Sequence, residues 1–238
     1  MSNGDFVGIG GAPSKRNLKI YWLVDVSGSM ADGGKITELN RAIRVCIPEL
    51  VTAAEDNVEI ATFVRAMKFS NEATWHTGET KIADFKWNDL SAYGLTSTGA
   101  ALRLLAEELD IEKMGKRNLP PVCILISDGD ATDDYDAGIS ELLSIPWGKK
   151  SVRIAIAIGS EANIEQLAKF CSHKEIPPLL AQNAADLVNY IKWVSTSVTR
   201  GMTNSQIGGG SSDTNVQLPP PPAPTVVTNV DDSDPDVW

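Results

Sequence analysis

Short apolar runs alternate with stretches of helical periodicity through most of this chain, and this alternation restricts the fold more than any other feature of the sequence. Residues 18–26, 121–127 and 152–159 are apolar and rich in β-branched side chains, which predicts buried strands. Residues 35–54 and 98–112 carry apolar side chains three and four positions apart, which predicts amphipathic helices. Such alternation is typical of an α/β fold with a doubly wound, mostly parallel sheet and helices on both faces.

One pair of predicted strands departs from this alternation. Residues 58–66 and 67–76 both have strand composition, and nothing between them is long enough to form a crossover helix. Neighbouring parallel strands need such a crossover, whereas antiparallel strands need only a turn. The pair therefore predicts one antiparallel hairpin strand at the edge of the sheet.

Composition divides the 238-residue chain into four segments. Residues 1–16 form a Gly-rich arm that we expect to be flexible, and residues 17–200 carry the predicted α/β domain. Residues 201–229 are rich in Gly, Ser and Pro, which is typical of a linker, and we expect a disordered C-terminal tail. Residues 230–238 combine acids with Val and Trp, which fits either a short docking peptide or a solubilising acidic end.

Charge and hydropathy exclude two classes of partner. The formal net charge is −10, whereas a nucleic-acid-binding protein would present a basic face. No apolar stretch approaches the length of a membrane span, and the N-terminal residues lack the apolar core of a signal peptide. The three cysteines are widely spaced within apolar stretches, which predicts buried, reduced thiols. We therefore expect a cytoplasmic protein that contacts neither nucleic acid nor a membrane.

Oxygen-bearing side chains follow two of the predicted buried strands. Asp25, Ser27 and Ser29 end the first strand in the sequence DVSGSM, and Asp128 follows a later strand in ISDGDATDD. Ligands of doubly wound sheets bind beyond the carboxyl ends of the strands, so we expect these side chains to meet there. Carboxylate and hydroxyl oxygens suit a hard divalent cation, most readily Mg²⁺, with Mn²⁺ and Ca²⁺ as alternatives, rather than zinc.

The loop AYGLTSTG supplies a further hydroxyl to the same end of the predicted sheet. It contains Thr96 and Thr98 at the start of a predicted helix. Thr98 would also suit the N-cap of that helix, where a hydroxyl satisfies a free backbone N–H group. The residues alone leave open which of the two threonines is the ligand.

The motifs DVSGSM, GLTSTGAAL and ISDGDATDD together resemble the von Willebrand factor A domain and its metal-ion-dependent adhesion site, over roughly residues 17–200. Within that superfamily, YWLVDVSGSM, WNDLSAYGLTSTGAAL, PWGKKSVRIAIAIG and LAKF are similar to the TerY-like branch of bacterial proteins. One departure is Ala131, where TerY-like chains tend to have proline. The resemblance implies that hydroxyls bind the metal directly and carboxylates often bind it through water, with the ligands Asp25, Ser27, Ser29, Thr96 and Asp128.

The resemblance also implies a function. It indicates a non-enzymatic, metal-dependent protein–protein interaction module whose partner supplies a carboxylate to the metal. TerY-like proteins are associated with tellurite-resistance and stress-response operons, are in some cases encoded beside a kinase and a phosphatase, and are linked to signalling and phage defence. We therefore expect an adaptor or scaffold with an operon-encoded kinase and phosphatase as partners.

The alternative function is a metal-dependent hydrolase acting on phosphate esters. The same ion with an open position would polarise a phosphoryl group. Against this alternative, the motifs contain no clear general base, and the sequence has no G-x-x-x-x-G-K-[ST] phosphate-binding loop.

Overall fold

A computed structural model of the chain describes residues 15–56, 58–115, 118–207 and 218–224. The strands in these residues are β1 (Arg16–Asp25), β2 (Ile60–Phe69), β3 (Ala73–Trp75), β4 (Thr80–Lys81), β5 (Val122–Ser127), β6 (Val152–Ile158) and β7 (Leu179–Ala181). The helices are α1 (Lys35–Glu55), α2 (Thr98–Glu108), α3 (Ile111–Met114), α4 (Tyr135–Ser144), α5 (Pro146–Lys150), α6 (Ile164–Phe170) and α7 (Ala184–Ile207). Two 3₁₀ segments, Gly28–Gly34 and Ile82–Asp84, complete the described elements.

The strands form one mostly parallel sheet in the order β3-β2-β1-β5-β6-β7. β1 is parallel to both of its neighbours, β2 and β5, so the winding of the sheet reverses between β1 and β5. β3 and the two-residue strand β4 both pair antiparallel with β2 at the edge. The predicted fold class is therefore confirmed, and β4 adds a second antiparallel strand that the sequence did not predict.

The antiparallel hairpin turns later in the chain than the sequence predicts. β2 continues to Phe69, so the strand boundary predicted between residues 66 and 67 is wrong. Met67 and Phe69 are fully buried and pack in the same cluster as α2, and this burial extends β2. The turn follows at once, where the Ser70 backbone N–H donates to the Glu72 carbonyl at 3.0 Å.

Alternate residues of β1 pack into hydrophobic clusters on opposite faces of the sheet. Ile20 and Trp22 share a cluster with side chains of α1 and α7, whereas Tyr21 and Leu23 share one with side chains of α2 and α4. Burial on both faces explains why β1 is apolar from residue 20 to residue 24. In the strand order β1 is central, so its carboxyl end at Asp25 lies in the middle of the sheet, at the point where the winding reverses.

A buried guanidinium joins the ends of two helices. Arg153, near the start of β6, is 6% exposed and donates hydrogen bonds to the carbonyls of Gly148, Ser151 and Phe170. These carbonyls lie at or beside the carboxyl ends of α5 and α6, where the helix dipole favours a positive charge. Burial lowers the pKa of Arg153, and the carbonyls compensate for the lost hydration of its charge.

The end of the domain differs from the sequence prediction in two details. α7 runs to Ile207, past residue 200, and Leu218 packs partly buried against the cluster on the α1 and α7 side of the sheet. Part of the predicted linker therefore contacts the domain. Most of the predicted arm and linker, and all of the peptide 230–238, lie outside the described residues, so the division into four segments stays a prediction.

Two further sequence predictions concern thiols and membranes. Cys46 and Cys123 are buried free thiols as predicted, whereas Cys171 is half-buried. Within the part of the chain that the structure describes, none of the helices combines the length and apolar character that crossing a bilayer requires.

Candidate metal centre

Asp25 occupies the carboxyl end of β1 and is fully buried. Its Oδ1 accepts a hydrogen bond from the Ser27 backbone N–H at 2.8 Å, and its Oδ2 accepts one from Ser127 Oγ at 2.6 Å. Ser127 is the last residue of β5, so this second bond crosses the point where the winding reverses. Ser127 is not among the residues predicted from the sequence, although its hydroxyl at the end of an otherwise apolar strand could have indicated it. The two bonds fix the Asp25 carboxylate at the edge of the sheet.

Three other predicted ligands form a continuous cluster beside Asp25. Ser27 Oγ lies 3.1 Å from Ser29 Oγ, and Ser29 Oγ donates to Asp128 Oδ1 at 2.8 Å. Ser27 and Asp128 are buried, whereas Ser29 is exposed. The structure thus brings oxygens from the ends of β1 and β5 together in a cluster that opens to solvent at Ser29.

Thr96 lies in a loop that is hydrogen-bonded to both of the loops that carry the other predicted ligands. On one side, the Gly28 backbone N–H donates to the Gly94 carbonyl at 3.0 Å. On the other side, the Thr132 backbone N–H donates to the Thr96 carbonyl at 2.8 Å. Thr96 is 6% exposed and stands between the loop after β1 and the loop after β5. Its role as a ligand stays a prediction.

The start of α2 is capped by a carboxylate from a distant part of the chain. Asp133 accepts hydrogen bonds from the backbone N–H groups of Gly99 and Ala100, at 2.8 and 2.7 Å. A Cβ atom at Gly99 would lie 2.3 Å from the Asp134 carbonyl oxygen, so the close approach of this loop requires glycine. Thr98 is the first residue of α2 and not its N-cap, which is Ser97, and the Ser97 side chain makes no capping hydrogen bond.

The electrostatics of the cluster favour a cation. Burial raises the pKa of Asp25 to about 6, although the hydrogen bonds from Ser127 and Ser27 oppose this effect. The nearby negative charge of Asp128 raises the same pKa further. At neutral pH Asp25 is therefore an ionised carboxylate in a fully buried position, which a neighbouring positive charge would stabilise.

Lys35 is a charged neighbour of the cluster, and it is not among the residues predicted from the sequence. Its Nζ lies 2.8 Å from Asp128 Oδ2, and the two side chains are 12% and 0% exposed. Lys35 is the first residue of α1, and the glycines before it, Gly33 and Gly34, have φ angles of 60° and 73°. A cation at the start of a helix opposes the helix dipole, and this is the signal that could have drawn attention to it.

The donors fit a hard divalent cation better than a soft one. They are carboxylate and hydroxyl oxygens, which Mg²⁺, Mn²⁺ and Ca²⁺ prefer. Nowhere in the described residues do three or more His, Cys, Asp or Glu side chains gather as a metal-binding group. A metal at the end of β1 would consequently have the carboxylates of Asp25 and Asp128 near it and would depend on serine and threonine hydroxyls for its remaining protein ligands.

Comparison with protein families agrees with these features. The family model of the von Willebrand factor type A domain matches residues 19–190. No curated protein matches the chain at a significant level.

Solved structures share the fold at low sequence identity. A von Willebrand factor type A protein from Catenulispora acidiphila superimposes with a TM-score of 0.59 at 16% identity, over 79% of this chain and 43% of that one. Proximal thread matrix protein 1 from the mussel byssus, solved with zinc in its metal-ion-dependent adhesion site motif, gives 0.57 at 15% identity, over 77% and 49%. A mutant of the PilB minor pilin from Streptococcus sanguinis gives 0.55 at 13% identity, over 85% and 65%. The chain spans less than half the length of the first two of these proteins.

Proposed function

The chain belongs to the von Willebrand factor type A domain family, and from this membership we propose that it is a metal-dependent protein–protein interaction module rather than an enzyme. The metal ligands in this proposal are Asp25, Ser27, Ser29, Thr96 and Asp128. The observation that carries the proposal is the convergence of Ser27, Ser29 and Asp128 within hydrogen-bond distance at the carboxyl ends of β1 and β5. That edge of the sheet is where doubly wound folds bind their ligands.

The proposed ion is Mg²⁺, with Mn²⁺ and Ca²⁺ as alternatives. Oxygen ligands favour these hard cations. The zinc in the mussel byssus protein supports a divalent ion in a site of this kind, and it makes Zn²⁺ a useful additional probe.

A partner carboxylate is the proposed ligand from outside the chain. When bound, a divalent cation would supply an electrophilic centre with an open position, because hydroxyl ligands neutralise little of its charge. Ser29 is exposed, so the cluster is accessible from solvent on that side. Asp25 is held by Ser27 and Ser127 and is therefore positioned to stabilise the site without moving.

The proposed cellular role is that of a cytoplasmic adaptor or scaffold. The TerY-like motifs support a bacterial stress-response, tellurite-resistance or phage-defence signalling system that includes a kinase and a phosphatase. In this proposal the C-terminal peptide 230–238 is a second docking element, since it combines acidic residues with Trp238.

The proposal is tested by titration of the purified chain with Mg²⁺, followed by partner binding. Thr96→Ala should weaken Mg²⁺ binding in calorimetry. Thr52→Ala, which removes an exposed hydroxyl at the other end of α1, is the matched control and should leave binding unchanged.

The partner assay uses a kinase and a phosphatase of the kind that some TerY-like proteins are encoded beside. Binding of at least one of them should disappear in EDTA, return with Mg²⁺, and be weakened by Thr96→Ala. Full binding in EDTA would contradict a metal-dependent interface. Turnover of a phosphate ester with Mg²⁺ or Mn²⁺ would favour the hydrolase instead.

A further inference from the structure

We propose that Lys35 is an internal counter-cation of the metal centre, which competes with a divalent ion for Asp128 and thereby weakens metal binding by the isolated chain. This inference rests on the proposed metal-binding function. It assigns a role to a residue outside the predicted ligand set.

The contacts of Asp128 show what an arriving ion would meet. Oδ1 accepts a hydrogen bond from Ser29 Oγ at 2.8 Å, and Oδ2 lies 2.8 Å from the Lys35 ammonium. Both oxygens therefore already have a donor. A metal ion, or a metal-bound water, that approaches Asp128 must replace one of these donors or share its oxygen.

The position of Lys35 opposes local helix preferences. As the first residue of α1 it stands at the positive end of the helix dipole, where an acidic residue would be favoured. Its side chain is nonetheless largely buried against Asp128 rather than extended into solvent. Lys35 is unfavourable for the start of a helix but contacts the candidate metal site, so a role in the site explains its position better than helix stability does.

The charge of the cluster depends on Lys35 and on the partner. Asp25, Asp128 and Lys35 together carry one net negative charge at neutral pH, and a divalent ion changes this to one net positive charge. In a poorly solvated site an uncompensated charge is unfavourable. A partner carboxylate would neutralise it, so Lys35 makes metal binding and partner binding mutually dependent.

The test is calorimetric titration of the full chain with Mg²⁺ alone and with Mn²⁺ alone. Lys35→Met should lower the Kd at least tenfold, which corresponds to about 1.4 kcal/mol. Lys35→Arg keeps the charge and should remain within a few-fold of the wild type. Lys192→Met removes a lysine that pairs with Glu49 on the surface, and it should leave the Kd unchanged.

Lys35→Gln covers the case in which Lys35→Met fails to fold, because glutamine keeps a hydrogen-bond donor for Asp128 without the charge. It should also lower the Kd. An unchanged or higher Kd in folded charge-removing variants would overturn the role of Lys35 while leaving the metal centre intact. An equal gain in affinity for Lys192→Met would also overturn it, since the effect would then be one of net charge. Absence of binding in the wild type and in all variants would overturn the metal centre itself, and the inference with it.

Discussion

Replacing Asp25 with asparagine should stabilise the metal-free protein and abolish its stabilisation by metal. Asp25 is fully buried, and its hydrogen-bond donors are the Ser27 backbone N–H and the Ser127 hydroxyl. Asparagine has nearly the same shape and still accepts the bond from Ser27. It carries no charge, so Asp25→Asn removes the free-energy cost of keeping an ionised carboxylate in this position.

The magnitude follows from the pKa of Asp25, which burial raises from 3.8 to about 6. A group whose pKa is higher in the folded than in the unfolded state stabilises the fold at pH values below its unfolded pKa. This stabilisation is lost as the pH rises through the folded pKa. For Asp25 the loss spans the range from 3.8 to about 6 and amounts to about 3 kcal/mol at pH 7.5. The altered bond to Ser127 offsets about 1 kcal/mol. We therefore expect Asp25→Asn to raise the free energy of unfolding by about 2 kcal/mol in EDTA at pH 7.5.

Urea unfolding in EDTA at pH 7.5 and pH 5 measures this effect. The advantage of Asp25→Asn should shrink by about 1.4 kcal/mol at pH 5, because much of Asp25 is then protonated in the wild type. Mg²⁺ at about 100 times its Kd should raise the free energy of unfolding of the wild type by about 2.7 kcal/mol and leave that of the variant unchanged. If the variant is less stable than the wild type in EDTA, or if its advantage does not change with pH, then the ionised Asp25 carboxylate does not destabilise the metal-free protein.

Two further predictions concern the fold and the tail. Arg153→Met should lower the free energy of unfolding by about 3 kcal/mol, because three buried carbonyls lose their hydrogen-bond donor. The Mg²⁺ affinity should stay the same. An unchanged urea midpoint would contradict this prediction. Deletion of residues 230–238 should leave the Tm nearly unchanged and weaken binding of the kinase or phosphatase used as candidate partner in a pull-down. A Tm lowered by many degrees would show that this peptide packs on the domain.

The sheet could be predicted from the sequence because its central strands are buried on both faces. The apolar runs 20–24 in β1, 122–126 in β5 and 154–158 in β6 mark these strands. The rule for doubly wound sheets then puts the carboxylates that follow β1 and β5 at one edge of the sheet, as observed. β4 has only two residues, which is too short for any pattern to be visible. The end of β2 was mistaken because the sequence alone does not show that Met67 and Phe69 pack against α2.

The less predictable part of the site consists of contacts between residues far apart in the chain. Lys35 and Asp128 are separated by 93 positions, and Asp133 caps a helix that begins about 35 positions before it. Neither contact has a local sequence pattern, because each is created by loops that meet at one edge of the sheet. The ligand assignment of Thr96 over Thr98 came from family resemblance and stays a prediction.

Anomalous diffraction from crystals of the full chain grown with Mn²⁺ would show whether a divalent ion binds at the carboxyl ends of β1 and β5. We expect an anomalous peak at this position. The manganese ion should be coordinated by the hydroxyls of Ser27, Ser29 and Thr96, with Asp25 and Asp128 bound directly or through one water. Absence of density at this position, or a manganese ion held only by other acids such as Asp133, would contradict it.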